Sequence, residues 1–574
     1  MSNNNPAGST WKKWDLHVHT PCSIVQNYGG NTEATWEAFL ADLEKLPSEF
    51  KVIGINDYIF IDGYERVRKE KREQGRLSNI DLILPVVEFR LDKFAGVVKK
   101  DDHGNYSQSD WNRINLHVIF DELDPEVIRQ QFLNALAPCY NLIPDSTHLR
   151  GKWQAVITPD SLTQLGQMIV DAAPADKKAD YGGPLQEGFN NLCVSLESIV
   201  QALTKHPLTN RYLLAVGKTE WENMKWDDQS IAEKRNVING VQLVFTAAPN
   251  PESYEAARKR LVDSNVKSTL LDCSDAHALS TSENKDRIGN CFTWIKADST
   301  FEGLRQAVTE FDQRVFVGDV PPKRQLVAAN RRKYASAITI KKKAGSALPD
   351  TWFDVDLPLN HDLVAIIGNK GSGKSALADV AALAGSTKNY QKFSFLTEDR
   401  FRDPKSRLAA HFVGTLRWQD GTDSTRELYE NPAPSDVERV KYLPQSYLEA
   451  LCNELGGGGS STFDSELRKI IYTHVPEEEK LDFLSLDDLL NFKVAEIERE
   501  REQVAQQLSK LNDEISAIEK RLAPDFRLSL ETQLDGKQKS CRHWRTQSLR
   551  PLRIQQRPTR PKPKPPPRRQ DCRS

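Results

Sequence analysis

The sequence predicts an α/β protein: a mainly parallel sheet with helices outside it, a second α/β unit, then a long charged helix. Three observations lead there. Between Trp11 and about Pro321, short apolar runs alternate with helical stretches. A glycine-rich loop follows the apolar run "LVAIIG" at 363–368. Apolar residues keep heptad spacing from Leu490 to Leu522. Strand–helix alternation is the mark of a parallel sheet covered by helices.

At ~150 residues per domain, 574 residues correspond to about three or four units. Hydrophobic residues make up 39% and charged residues 28%, a composition with cores to bury. The net charge of −2 advertises neither nucleic acid nor a membrane surface. No apolar run of about 18 residues occurs, so no membrane-spanning helix is expected. "MSNNNPAGSTWKKW" lacks the apolar core of a signal peptide. Eight cysteines without CxxC spacing point to free thiols in a reducing cytoplasm.

Taken in order, the runs "WDLHVHTPCS", "KVIGIND", "LILPVVE", "NLHVIFDE", "RYLLAVGKTE" and "STLLDCSDAH" read as strands bearing polar groups, mostly at their C-terminal ends. "PEVIRQQFLNALA" and "PESYEAARKRLVDS" read as helices between them. Barrels and doubly wound sheets place their sites at such strand ends. Residues i and i+2 of a strand share a face, so His17 and His19 aim at one point, as do Asp275 and His277. Asp57, Glu88 and His117 bring the set to seven ligand-type residues in five segments. A lone His-x-His reads as partly buried polar residues; five such segments read as a metal site. Imidazole with carboxylate suits Zn, Mn or Fe.

"DVPPKRQ" at 319–325 reads as a linker. "GNKGSGKS", Gly368 to Ser375, satisfies GxxxxGK[ST] between the strand "LVAII" and the helix "ALADVAALAG". In that setting the backbone of Gly368, Asn369, Lys370, Gly371, Ser372 and Gly373 turns N–H groups toward the phosphates of ATP. Lys374 reaches the β- and γ-phosphates, and Ser375 the Mg²⁺. ATP hydrolysis stays open: "FSFLTED" is a poor match to an apolar run ending in Asp-Glu, and no LSGGQ-like signature occurs.

"GGGGSST" at 456–462 is a flexible break, either a natural loop or an inserted linker. Leu490, Val494, Ile497, Val504, Leu508, Leu511, Ile515, Ile518 and Leu522 then recur at spacings of three and four, interrupted only by Arg501. The readings are a coiled coil and an amphipathic helix on a globular surface; the charged and Gln-rich polar face favours the coiled coil. Residues 540–574 hold eleven Lys/Arg against one acidic residue, and the stretch from Cys541 has seven prolines. Disorder is expected there. This tail is either a basic arm for nucleic-acid phosphates or the product of a shifted frame or early stop.

"DLHVHTPCS", "LPVVEF", "LHVIF" and "SDAH" resemble, in order, the motifs of the PHP (polymerase and histidinol phosphatase) domain. "CFTWIKADSTFEGLRQAV" at 291–308 is similar to the closing segment of PHP domains fused to an ATPase. The resemblance implies a distorted β/α barrel whose metal cluster hydrolyses phosphate esters. It implies that His17, His19, Glu88 and Asp275 hold one metal. Glu88 bridges to a second ion, also bound by His117, and Asp57 and His277 form the remaining edge. Lys218, in "VGKTEW", is either a phosphate contact or a surface lysine. Two positions depart from the pattern. "NDY" puts Tyr58 where Thr-Asp-His is usual, and "AVITP" puts Thr158 where a later histidine is expected, with His148 and His206 as substitutes. A two-metal site is the expectation.

"VKYLPQS" at 440–446 resembles the Q-loop of SMC-type and related ABC ATPases, in which Gln445 would contact Mg²⁺; an ordinary strand-to-loop turn is the alternative. In that class the chain returns from the coiled coil to complete the head. This chain does not return, so it is expected to be the N-terminal part of a longer protein. Over residues 11–522 the order resembles the TrlF-type and Ppl-type proteins, the latter acting in antiphage defence. The domains expected are a disordered N-terminus (1–10), a PHP domain (11–318) and the N-terminal lobe of an ABC/SMC-like ATPase head (319–462). A coiled-coil segment (463–524) and a disordered basic tail (525–574) follow. The resemblance implies a metal-dependent nuclease or phosphoesterase gated by ATP, with nucleic acid as substrate, no membrane partner, and a cytoplasmic homodimer or larger homo-oligomer. A DNA-tethering structural ATPase with a decayed PHP domain is the rival from another class.

Overall fold

The apolar runs become strands because their alternate residues find two separate cores. In the computed structural model, which describes residues 7–95, 97–100, 106–109, 113–142, 153, 155–217, 221, 231–349, 354–444 and 462–548, the chain forms two compact units, Met1–Leu443 and Pro444–Ser574.

The first unit is built on a nine-stranded sheet. Its strands are β1 (Thr10–Val18), β2 (Phe50–Asn56), β3 (Leu82–Phe94), β4 (Arg113–Phe120), β5 (Tyr212–Val216), β6 (Leu243–Thr246), β7 (Leu270–Asp272), β8 (Thr293–Ala297) and β9 (Val315–Val317). They lie in the order β7-β6-β5-β4-β3-β2-β1-β8-β9. The sheet is mixed, not mainly parallel. β1, β2 and β3 pair in parallel, as do β5, β6 and β7, but β4 runs antiparallel to both neighbours, and β8 runs antiparallel to β1 and β9. The reason lies in the connection. β3 continues into the hairpin Val97–Lys100 on Tyr106–Ser109 and returns as β4. A hairpin return imposes antiparallel pairing, whereas parallel neighbours need a crossover.

The sheet nearly closes into a barrel. Beyond β7 the chain runs on to Ala276, which bridges in parallel to Val18. The N–H of His19 donates to Ala276 O at 2.9 Å, and that of Ala276 to His17 O at 3.2 Å. Inside, Trp14, Leu16, Val86, Ile119, Ala215 and Phe245 pack in one apolar layer, to which the helix Phe301–Thr309 adds Phe301, Leu304 and Ala307. Each Leu, Val, Ile or Phe among them contributes roughly 1.5–3 kcal/mol by leaving water. Outside, the helix Glu33–Glu44 buries Trp36, Phe39, Leu40 and Leu43, spaced at three and four; Thr32 caps it by accepting from the N–H of Thr35.

Past Pro322–Ala329, a four-stranded antiparallel sheet forms: β10 (Ala335–Lys342), β11 (Val355–Pro358), β12 (Phe412–Trp418) and β13 (Asp423–Glu427), in the order β11-β10-β12-β13. The helix Lys374–Ala384 packs on it through Val380 and Leu383. Gly414 permits that approach, since a Cβ there would lie 2.5 Å from Cγ1 of Val380. The strand expected at 363–368 does not form. Leu363 is 93% and Ile367 89% exposed. A strand apolar on both faces needs neighbours to bury it, and none of the described strands pairs with this run.

The second unit is helical: Thr462–His474, Leu486–Leu522 and Pro524–Ser548. The 37-residue helix carries the heptad series, which is exposed from Leu490 (42%) to Leu522 (77%). The third helix covers the first part of the segment expected to be disordered. Pro524 sits at its first turn, where proline is tolerated, and no further proline occurs before Pro551. The charge change near Ser540 is therefore not the structural boundary. Residues 549–574 lie outside the described residues. Among the described residues no helix is long and apolar enough to cross a membrane.

Candidate metal centre and nucleotide loop

The barrel's closing seam carries the site. The register of β1 on β2 shifts between Asp15 and Val18. Such a bulge re-aims side chains. Leu16 joins the interior layer that contains Phe245, and the His17 ring also lies 6.0 Å from the Phe245 ring. Across the seam, Asp275 and His277 follow β7. Glu88 and His117 face each other directly in the β3–β4 register.

The distances are those of a ligand cluster. Nε2 of His17 lies 3.1 Å from Nε2 of His19, 3.5 Å from Oε2 of Glu88 and 3.2 Å from Oδ1 of Asp275. Nε2 of His19 lies 3.6 Å from the same Asp275 oxygen, and Nε2 of His117 lies 3.2 Å from Oε2 of Glu88. His17, His19 and Glu88 form one group able to hold an ion, and His19, Asp275 and His277 a second; within each, the ligand atoms lie within 4.8 Å of one another. Nδ1 of His117 is buried without a hydrogen bond, while Nε2 has the Glu88 carboxylate beside it. An orphaned buried polar atom costs about 1–3 kcal/mol. A cation between Nε2 of His117 and Oε2 of Glu88 would take a lone pair from each, so the residues fit Mn, Zn or Fe.

The electrostatics agree. Burial, with the neighbouring His277 imidazole adding to it, pulls His19 down to about 3, so its imidazole is neutral and free to ligate. Burial also lowers His117. Burial opposes ionisation of Glu88, yet His117 and His17 hold it well below the usual carboxylate range. For His17, burial is outweighed by Asp275 and Glu88, and the shift is upward. Asp275 and Tyr58 both have left-handed backbone, φ 53° and 58°. Strain of this kind gathers where a side chain must be aimed.

No protein-family model matches the chain, and no curated protein matches it. The site therefore stands on its own geometry.

Not every expected ligand faces the cluster. Asp57 turns away: Oδ1 accepts from the N–H of Thr20 and Oδ2 from its hydroxyl, both at 2.8 Å, and Cys22 Sγ lies 3.5 Å from Oδ2. Burial pushes its carboxyl up to about 6. Asp57 thus pins the turn after His19. Gly63 leaves it room, since a Cβ there would lie 1.8 Å from Oδ2. Where a later histidine was expected, Thr158 caps the helix Pro159–Ala172 in a capping box with Ser161. His206 is exposed on a turn. Lys218, His148 and Gln445 lie outside the described residues.

Three side chains escaped the sequence reading. Asn56 donates to Oε2 of Glu88 at 2.8 Å and Asn115 to Oε1 at 2.7 Å, and Arg90 donates to the Asn115 oxygen. The available signal was spacing: Arg90 is i+2 from Glu88, and Asn115 is i−2 from His117, so both share the ligand face.

In the glycine-rich loop, Gly368, Gly371 and Gly373 have φ of 158°, 84° and 88°, and the helix begins at Lys374. The Lys374 ammonium donates to the carbonyls of Gly368 (2.9 Å) and Asn369 (2.8 Å), so the loop wraps its own lysine. Asn369, Lys370, Ser372 and Ser375 are exposed around it. Asp379, one turn further on, is fully buried. It accepts from the N–H groups of Ser394, Phe395 and Leu396 and from the Tyr442 hydroxyl at 2.7 Å, which joins this helix to the segment before Gln445.

Proposed function

We propose that the chain is a metal-dependent phosphoric ester hydrolase, a nuclease, gated by a nucleotide-binding lobe and serving in antiphage defence in the cytoplasm. The convergence of His17, His19, Glu88, His117 and Asp275 in one buried cluster carries the reading. These residues would hold Mn, Zn or Fe. Bound there, the ions supply an activated water and neutralise the scissile phosphate. The chain's own groups do the rest. Asn56 and Asn115 orient Glu88 by donating to its two oxygens, and the apolar layer around Phe245 lies beside the histidines. His277 abuts His19, ring centroids 3.9 Å apart, at the open edge.

The nucleotide lobe supports gating. Lys374, with Ser375 beside it, would exchange its two carbonyl partners for the phosphates of ATP with Mg²⁺. Asp362, just before the apolar run that leads into the loop, pairs with Lys296 of β8 and with Lys323 (2.9 Å), giving nucleotide state a route to the barrel. The exposed heptad stripe favours a homodimer or larger assembly.

The test is purified full chain with Mn²⁺ against single-stranded DNA, duplex DNA, RNA and nucleotides, with and without ATP. Metal-dependent cleavage lost in Asp275→Ala supports the reading; equal cleavage in both proteins overturns it. One observation favours the structural ATPase instead: Tyr58 stands where a ligand is expected. Metal analysis separates the two. Less than stoichiometric Mn, Zn or Fe, unchanged by His17→Ala with His19→Ala, would favour the structural role.

A further inference from the structure

Arg90 lies two residues past Glu88 on β3, and its register partner on β4 is Asn115, as His117 is the partner of Glu88. The four side chains therefore share one face. Asn115 joins them: its amide N–H donates to Oε1 of Glu88 at 2.7 Å, and its oxygen accepts from Nη1 of Arg90. The guanidinium is one amide group away from the central carboxylate of the cluster. It lies over the ring of Phe189, 5.0 Å from the centroid, and that ring packs 4.8 Å from the ring of Tyr58.

The rest of this cation is uncommitted. Nε is buried without a hydrogen bond, and among the described residues no carboxylate pairs with Arg90. Other arginines of the barrel do pair: Arg211 with Asp121, Arg76 with Glu37 and Glu44, Arg129 with Glu65. A half-buried guanidinium without a counter-ion is unfavourable unless an anion joins it. With Nε shut off from solvent and Nη1 engaged by Asn115, Nη2 is the nitrogen left to donate to a phosphoryl oxygen.

We propose that Arg90 binds a phosphoryl oxygen of the substrate, a phosphate mono- or diester, through Nη2, while Asn115 sets its distance from Glu88. The inference rests on the phosphoesterase reading of the site. It assigns to Arg90 the phosphate contact that the sequence offered to Lys218.

The test is calorimetric titration of the full chain with inorganic phosphate, metal-free and after Mn²⁺ loading. Wild type, Arg90→Gln and Arg90→Lys are compared, with Mn per chain and thermal unfolding measured on each. Arg90→Gln is expected to keep wild-type Mn content and melting while phosphate affinity falls roughly tenfold or more, the scale of a lost charge-assisted contact. Arg90→Lys should recover part of it, keeping the charge without the guanidinium. Wild-type phosphate affinity in Arg90→Gln overturns the proposal, as does wild type that binds no phosphate in either state. Loss of Mn together with phosphate also overturns it, because Arg90 would then only brace Asn115 and Glu88. Should Arg90→Gln not fold, unchanged affinity in Arg90→Lys overturns it instead. If wild type takes up no Mn, the hydrolase reading fails, and the metal-free titration still reports on Arg90.

Discussion

The hydroxyl of Tyr58 stands 3.2 Å from Nε2 of His277, while Nδ1 of the same ring stands 2.7 Å from the carbonyl oxygen of Asp275. A carbonyl only accepts, so Nδ1 carries the proton and Nε2 accepts from Tyr58. The tyrosine thus occupies the one lone pair that His277 has to offer. Tyr58→His should replace a blocking group by a donor, and histidine tolerates the left-handed backbone at this position better than tyrosine. Metal per chain, measured by elemental analysis, is expected to rise; an unchanged value would mean that Tyr58 does not limit the site.

His17→Ala with His19→Ala should abolish metal uptake. The readout is thermal. Wild type should melt higher in Mn²⁺ than in chelator, since a ligand at a hundred times its Kd stabilises the native state by about 2.7 kcal/mol. The double variant should melt at the same temperature in both.

Asp57→Ala should cost stability more than metal. Its oxygens hold the Thr20 turn, and leaving that N–H and hydroxyl unpaired in a buried place costs about 1–3 kcal/mol. Denaturant unfolding should show the loss while Mn content stays near wild type. Complete loss of Mn would make Asp57 a ligand after all.

Lys374→Ala should remove binding of a fluorescent ATP analogue and leave Mn content unchanged. Retained nucleotide affinity would show that the loop around Lys374 does not serve phosphates.

Asp362→Asn should uncouple the lobe from the barrel: ATP binding and metal content persist, while any effect of ATP on cleavage is lost. The pair also carries a pH signature. Burial opposes the shift, but Lys296 and Lys323 hold the Asp362 carboxyl below its ordinary value of 3.8. Its contribution is therefore complete above that value and is lost as pH falls through the lower, folded one. Acid unfolding of Asp362→Asn should be correspondingly shallower than wild type.

Much of the site was legible in the chain. The pairs His17 with His19 and Asp275 with His277 were legible as ligand types, but a strand's period of two does not place them: His19 lies just past β1, and Asp275 and His277 follow β7, with Asp275 in left-handed backbone. The loop around Lys374 was legible because its glycines and lysine lie within eight residues. The parallel sheet was only half right, because a hairpin return between β3 and β4 looks in sequence like any other polar connection. The strand at 363–368 was misjudged because apolar character shows what a segment would bury, not whether neighbours exist to bury it.

By itself the sequence determined which groups are present: imidazoles and carboxylates in and just after the strands, a glycine-rich loop with a lysine, a heptad helix. These follow from residue type and local period. Tertiary structure alone decided how they are used. Glu88, within β3, and Asp57, just after β2, are both buried carboxylates, yet one faces the histidines and the other a threonine turn. Asn115 and Arg90, unremarkable in the chain, become partners of Glu88. Those choices are competitions for hydrogen bonds and charge among groups distant in sequence, and only a seam that brings Val18 against Ala276 places the competitors within reach of one another.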